Sequence, residues 1–172
     1  MRDARRGKTQ RAEVERLYQL YGAGLLAYGC AITVDRATAE DVLQHVFLKL
    51  LHGDVELPEV ARPYLYRAMR NAALNSRRRV LREVEIDAGN SWFVGPPART
   101  EETLTLQVEL QELPEEQREA VVLHIWGQLT FEEVAEVTGV TLNTAASRYR
   151  YGLGTLRERM RPQGMSEHSD GR

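Results

Sequence analysis

A chain of 172 residues can bury one ordinary core or two small ones, and 42% hydrophobic with 28% charged residues is the composition of a soluble globular protein. No apolar run approaches the ~20 residues that cross a bilayer and no apolar h-region follows the basic start Met1–Arg11, so a cytoplasmic chain without membrane insertion is expected. The net charge of -2 excludes a uniformly basic nucleic-acid binder, which makes the distribution of charge the informative quantity.

Residues 1–11 read as a disordered basic start. Val14, Leu17, Tyr21, Leu25 and Tyr28 then recur every three to four positions and predict an amphipathic helix from about Ala12 to Ile32. It carries the only cysteine, Cys30, which lacks a partner for a disulfide, zinc or redox pair and reads as a small buried hydrophobe. A second helix is expected from Thr38, where Thr38-x-x-Asp41 has the form of a capping box, with the stripe Val42, Leu43, Val46, Phe47, Leu50 and Leu51. After the break at Gly53–Pro58, a third helix is predicted from about Val60 to Arg79, burying Leu65, Met69, Ala72 and Leu74. Between Ala61 and Arg82 lie Arg62, Arg67, Arg70, Arg77, Arg78, Arg79 and Arg82 with no acidic residue, a local cationic surface.

From 83 to 100 the periodicity disappears, and Gly89, Asn90, Gly95, Pro96 and Pro97 mark an irregular linker that places the domain boundary. Trp92 and Phe93 in it are read as packing back onto a domain or docking into a partner. Helical pattern resumes at Glu101, stops at Pro114 and restarts there, since proline suits a first helical turn. The fold class expected is all-α: a three-helix domain at 12–82, the linker at 83–100, a second helical domain at 101–161 and a disordered tail at 162–172. Acids concentrate between Glu101 and Glu136, and Arg148, Arg150, Arg157, Arg159 and Arg161 form a second basic stretch, so two basic elements flank an acidic middle.

In the second domain Thr130-x-x-Glu133 is a capping box, Ala135 is small where two helices would cross, and Gly139 can take the positive φ of a tight turn. Val140 and Leu142 would anchor that turn, and Thr141 can cap the next helix. The unit is a helix-turn-helix. Its second helix would enter the major groove, with Asn143, Thr144, Ser147 and Arg148 as base readers and later cationic residues holding phosphates; Arg150 and Tyr151 complete the expected DNA-binding set.

The segments Leu113-Pro-Glu-Glu-Gln-Arg-Glu-Ala-Val-Val-Leu123, Leu129-Thr-Phe-Glu-Glu-Val-Ala-Glu-Val-Thr-Gly-Val140 and Thr144-Ala-Ala-Ser-Arg148 closely resemble region 4 of extracytoplasmic-function (ECF) RNA polymerase sigma factors, of the sigma-70 family. Ala39-Glu-Asp-Val-Leu-Gln-His-Val-Phe-Leu-Lys-Leu50 resembles region 2.2, and Pro63 to Arg78 resembles regions 2.3 and 2.4. The resemblance implies a specificity subunit without catalytic activity or cofactor. Region 2 would hold the β′ clamp helices of core polymerase and the melted -10 element; region 4 would hold the β flap and the -35 element. It puts polymerase binding on Asp41, Gln44 and Phe47; His45 and Leu48 share the face of Asp41 and Gln44 away from the stripe. It puts capture of single-stranded promoter DNA on Tyr64, Tyr66, Asn71, Asn75 and Arg78, with Arg67, Arg70 and Arg77 on phosphates. Family habit adds an anti-sigma protein as a further partner. Ala146, Tyr151, Gly152 and Gly154 depart from the family's usual recognition helix, and His45 replaces a frequent glutamate.

Two other classes compete with this reading. A dimeric helix-turn-helix regulator that binds duplex DNA without polymerase would leave the first domain unexplained. An enzyme would need machinery that is missing: His45, His52 and His124 have no metal-ligand spacing, and glycine-rich phosphate loops and nucleophile elbows are absent. His124 is expected to pack within the region 4 helices.

Overall fold

The computed structural model describes residues 2–33, 35–53, 57–83 and 101–161. These contain seven helices: α1 (Arg2–Ile32), α2 (Arg36–His52), α3 (Ala61–Glu83), α4 (Glu101–Gln111), α5 (Glu115–Ile125), α6 (Phe131–Thr138) and α7 (Leu142–Arg159). The readings made for the linker, for Trp92 and Phe93, and for the tail fall outside the described residues.

Helices α1, α2 and α3 form the first module around the predicted stripes. Val14, Leu17, Leu25, Tyr28 and Ile32 of α1 meet Val42, Leu43, Val46, Phe47 and Leu50 of α2 and Leu65, Met69 and Ala73 of α3, all buried. Each fully buried Leu or Phe contributes about 1.5–3 kcal/mol. Leu51, expected in the stripe, is exposed, and Ala73 is buried where Ala72 and Leu74 are only partly covered.

Two boundaries differ from expectation. Helix α1 begins at Arg2 rather than Ala12. Seven of residues 2–11 are Arg, Lys, Gln or Ala, which favour helix, and Gln10 donates from Nε2 to the Leu50 carbonyl at 2.9 Å, tying the stretch to the end of α2. Helix α2 is capped by Asp35, not Thr38: Asp35 Oδ1 accepts from the Thr38 backbone N–H at 2.8 Å and Oδ2 from its hydroxyl at 2.7 Å. Thr38 is therefore already inside the first turn, because Asp35 has the extended backbone a cap requires.

The second module is α4 to α7 around Leu110, Val121, Val122, Leu123, Leu129, Val134 and Leu156. The sequence suggests two separate cores. Here they are continuous, because α1 packs on α5 and α3 packs on α6.

Candidate nucleic-acid and polymerase interfaces

The helix-turn-helix is built as its residues suggest. Thr130 Oγ1 accepts from the Glu133 N–H at 3.2 Å while Glu133 Oε2 accepts from the Thr130 N–H at 2.8 Å, closing the capping box of α6. Gly139 ends α6 at φ 72°, a left-handed conformation that suits glycine, and its N–H donates to the Ala135 carbonyl at 2.9 Å. Thr141 then caps α7, accepting from the Thr144 N–H at 3.2 Å.

On α7 the core side is the stripe Ala145, Tyr149, Gly152 and Leu156. Gly152 is there for contact: a Cβ would lie 3.0 Å from Val121 Cγ2 and 3.2 Å from the Gln117 carbonyl, so α5 and α7 cross too closely for a side chain. Helical spacing puts Asn143, Ser147 and Arg150 on the opposite side, with Thr144, Arg148 and Tyr151 flanking them. Asn143, Arg150 and Tyr151 are exposed, and the Arg150 guanidinium lies 5.3 Å over the Tyr151 ring. Arg148 leans back toward Glu116 at 3.7 Å, a loose surface pair.

His124 fixes the unit from beneath. Its ring stacks on Phe131 with centroids 4.4 Å apart and meets Tyr149 edge-on at 4.6 Å, so it joins α5 to α6 and α7. Nδ1 lies 2.7 Å from the Leu129 carbonyl, which can only accept, so Nδ1 carries a proton.

In the first module Asp41, Gln44, His45 and Leu48 are exposed on α2, and Leu48 and Gln44 line a groove with Tyr18, Phe47 and Leu51. Phe47 is buried apart from this rim and meets Tyr18 edge-on at 5.0 Å, so most of it is core. His45 also borders a cleft of about 350 Å³ between α2 and α3, beside Lys49, Tyr64, Arg67, Asn71 and Asn75.

Helix α3 sorts its candidates into two stripes. Tyr64, Arg67, Asn71, Asn75 and Arg78 share one side, which is exposed or half-exposed and carries the aromatic, amide and cationic groups that single-stranded DNA needs. Arg62, Tyr66, Arg70 and Arg77 share the other, which faces the second module. Tyr66 is 1% exposed and Arg70 and Arg77 are engaged in ion pairs, so in this arrangement these three are interface residues rather than DNA contacts. The periodicity that predicted the helix is the same for both stripes, and only the packed partner distinguishes them.

That partner is the acidic middle of the sequence. Arg62 donates to both Glu133 oxygens at 2.7 and 2.8 Å, Arg77 reaches Glu115 at 2.8 Å, and Arg67 meets Glu136 at 3.1 Å on the rim. At the centre buried Glu119 accepts from the Arg70 Nε at 2.7 Å and from the Tyr28 hydroxyl at 2.5 Å. Burial, then the Glu119 carboxylate, pushes the Tyr28 phenol well above its ordinary range, so it stays a donor, and the hydrogen bond to Glu119 raises Arg70. Sequence reasoning missed Tyr28, Arg62 and Glu119 as partners. The signal was an acid-free basic segment followed by a cluster of acids.

Cys30 is buried, and desolvation lifts its thiol to about 11, which suits the packing role expected of it. Among the described residues no group of three or more His, Cys, Asp or Glu is placed to hold a metal, and no helix is long and apolar enough to cross a membrane.

The sequence matches the family model for Sigma-70 region 2 over residues 17–83 and that for Sigma-70, region 4 over residues 103–156. The chain belongs to the sigma-70 family, among its ECF sigma factors. It is 26% identical over 155 residues to the ECF RNA polymerase sigma factor SigM of Bacillus subtilis, covering 86% of this chain and 93% of that one. It is 29% identical over 157 residues to the RNA polymerase sigma factor YlaC of the same organism, covering 83% and 91%. Two solved structures share the fold. The sigma factor RpoE in complex with the anti-sigma factor NepR from Bartonella quintana superposes with a TM-score of 0.74 at 20% identity, over 88% of this sigma factor and 98% of that chain. CnrH in complex with the cytosolic domain of CnrY gives 0.61 at 20% identity, over 90% and 92%.

Proposed function

We propose that this sigma factor directs core RNA polymerase to chosen promoters in the cytoplasm, acting as a specificity subunit without catalysis of its own. Region 4 reads the -35 element as duplex through Asn143, Thr144, Ser147, Arg148, Arg150 and Tyr151. Region 2 holds the melted -10 element along Tyr64, Arg67, Asn71, Asn75 and Arg78. The observation that carries the reading is the exposed stripe on α3 in the same chain as a capped helix-turn-helix whose α7 turns polar and cationic groups outward. Extruding bases costs a few kcal/mol, and stacking on Tyr64 with hydrogen bonds from Asn71 and Asn75 offsets that cost.

Asp41, Gln44, His45 and Leu48, with the edge of Phe47, supply the face for the β′ clamp helices, and region 4 docks on the β flap. The RpoE and CnrH structures are both complexes with another protein, which supports an inhibitory anti-sigma partner for this chain as well. The test is transcription from defined promoters by core polymerase with and without the purified chain. Initiation should depend on it, and Asp41→Ala with Gln44→Ala should lose binding to the β′ clamp helices while keeping wild-type helicity. Unchanged binding would remove the assignment of that face, and promoter binding by the chain alone as a dimer on two-fold sites would remove the function.

A further inference from the structure

Residues 1–16 precede the region 2 match, which begins at residue 17, yet α1 already runs through them from Arg2. The first eleven residues carry Arg2, Arg5, Arg6, Lys8 and Arg11 against the single acid Asp3, in a chain whose net charge is -2. A block of like charges by itself is only a self-repelling, solvated segment. What gives this one a place is the way α1 is held. Gln10 donates from Nε2 to the Leu50 carbonyl at 2.9 Å, one of the last carbonyls of α2, which the helix itself leaves short of donors. Gly53 closes α2 there at φ 76°, and a Cβ on it would lie 3.3 Å from Gln10 Nε2. Further along, Tyr18 meets Phe47. The two helices therefore run antiparallel, and the backbone before Gln10 continues past the end of α2.

That end of α2 is also one end of the cleft between α2 and α3. Lys49 and Leu50 line the cleft together with Tyr64, the first residue of the exposed stripe on α3. Residues 2–9 lengthen α1 by about 12 Å, at ~1.5 Å per residue. Over that length one strand of duplex DNA presents about three to four phosphates, one per ~3.4 Å. The segment carries four cations, Arg2, Arg5, Arg6 and Lys8. Its charge and its length therefore both match a short stretch of nucleic-acid backbone, and it starts where the assigned strand path along α3 stops.

We propose that the basic start of α1 is a further DNA-binding surface, which takes the phosphate backbone of the promoter strand where it leaves the Tyr64 end of the α2–α3 cleft. The inference rests on the function proposed above, with region 2 on the melted element. The surface adds affinity without reading sequence, because cations on the backbone neutralise phosphates and release counterions whatever the bases are. Gln10 is its positioning residue: it fixes the start of α1 to α2, and so to the cleft.

The test compares three full-length chains on core polymerase: wild type, a variant with Arg2→Gln, Arg5→Gln, Arg6→Gln and Lys8→Gln together, and Gln10→Ala. Glutamine matches arginine and lysine in helix propensity, so the fourfold variant loses charge and keeps its helix. Affinity for a promoter duplex with a pre-melted -10 segment is followed against salt. The slope of log affinity against log salt should become shallower by about 2–3 in the fourfold variant, at roughly 0.7 for each lost contact to a single strand. Its affinity should fall at least about tenfold at low salt, by the same factor for different -10 sequences, and converge with wild type as salt rises. Gln10→Ala keeps every charge and should lose about threefold, the loss expected for one hydrogen bond. An unchanged slope in a fourfold variant of wild-type helicity overturns the surface. So does a loss confined to binding of core polymerase, or an unchanged slope on DNA accompanied by weaker binding to vesicles of anionic phospholipid. Should the fourfold variant lose helicity, deletion of residues 2–9 decides by the same criteria. Should core polymerase bind none of the chains, their affinities for the DNA alone decide: a shallower slope in the variant supports the surface and overturns only the assigned function, and an equal slope overturns both.

Discussion

Helices α3 and α7 are both cationic helices assigned to DNA, yet they reach their geometry by different routes. Helix α7 is positioned by neighbours in sequence: Thr141 caps it, Gly139 turns the chain into it, and His124 braces it from α5 through Phe131 and Tyr149. Helix α3 is positioned by distant ones. Its outward stripe, apart from Arg67 at the rim, faces away from region 4 because Arg62, Arg70 and Arg77 are claimed by Glu133, Glu119 and Glu115 far along the chain. Local rules suffice for α7, whereas α3 needs the assembled molecule.

Removing the centre of the long-range contact sharpens that contrast most. Glu119→Ala strands the Tyr28 hydroxyl and the Arg70 guanidinium together, and loss of one partner from a buried, charged hydrogen-bonded cluster costs about 3 kcal/mol. Denaturant unfolding of the full chain should show that loss. Intact helicity of α5 to α7, followed by hydrogen exchange, would place the damage between the regions and not inside region 4.

The next effect tests the local route. Gly152→Ala should destabilise region 4 by about 1–2 kcal/mol, because the added methyl meets Val121 and the Gln117 backbone. Gly154→Ala, two residues on, has nothing within 4 Å and should instead stabilise α7 by up to about 1 kcal/mol. Thermal unfolding of the two variants should move in opposite directions; equal shifts would mean that α7 does not seat on α5 as described.

The smallest effect joins the two routes, since Glu133 closes the α6 capping box and also holds Arg62. Burial opposes its ionisation, but the hydrogen bonds from Arg62 and Thr130 outweigh burial and hold it below its ordinary 4.5. A depressed carboxylate contributes stability that is complete above the unfolded value and fades as pH falls through the folded one. Wild-type stability should therefore decline below about pH 4.5, and Glu133→Gln should flatten part of that decline. An unchanged slope in the variant would discount both bonds.

Much of the fold was legible because its signals are short-range. Thr130 with Glu133, Gly139 and Thr141 declare the helix-turn-helix within twelve residues, and the stripes of α1, α2 and α3 follow from spacing alone. Asp35 and Thr38 are both capping residues, and the backbone angles that decide between them are not written in the composition. The resemblance places Tyr66, Arg70 and Arg77 on DNA, whereas in this arrangement the two arginines meet carboxylates 38 to 49 residues away. The charge asymmetry between Ala61–Arg82 and Glu101–Glu136 was visible, but nothing local said that the two would meet.

The division of α3 into two sides also bears on how such a chain can change. Asn71, Asn75 and Arg78 touch no acid of region 4 among the pairings described, so altering them should leave undisturbed how the molecule folds upon itself, while the proposed function expects it to change promoter choice. Across the helix the opposite holds: Arg62 or Arg70 can vary only together with a carboxylate on another helix. One side answers only to the partner assigned to it under the proposed function, and the other is bound to carboxylates of its own chain.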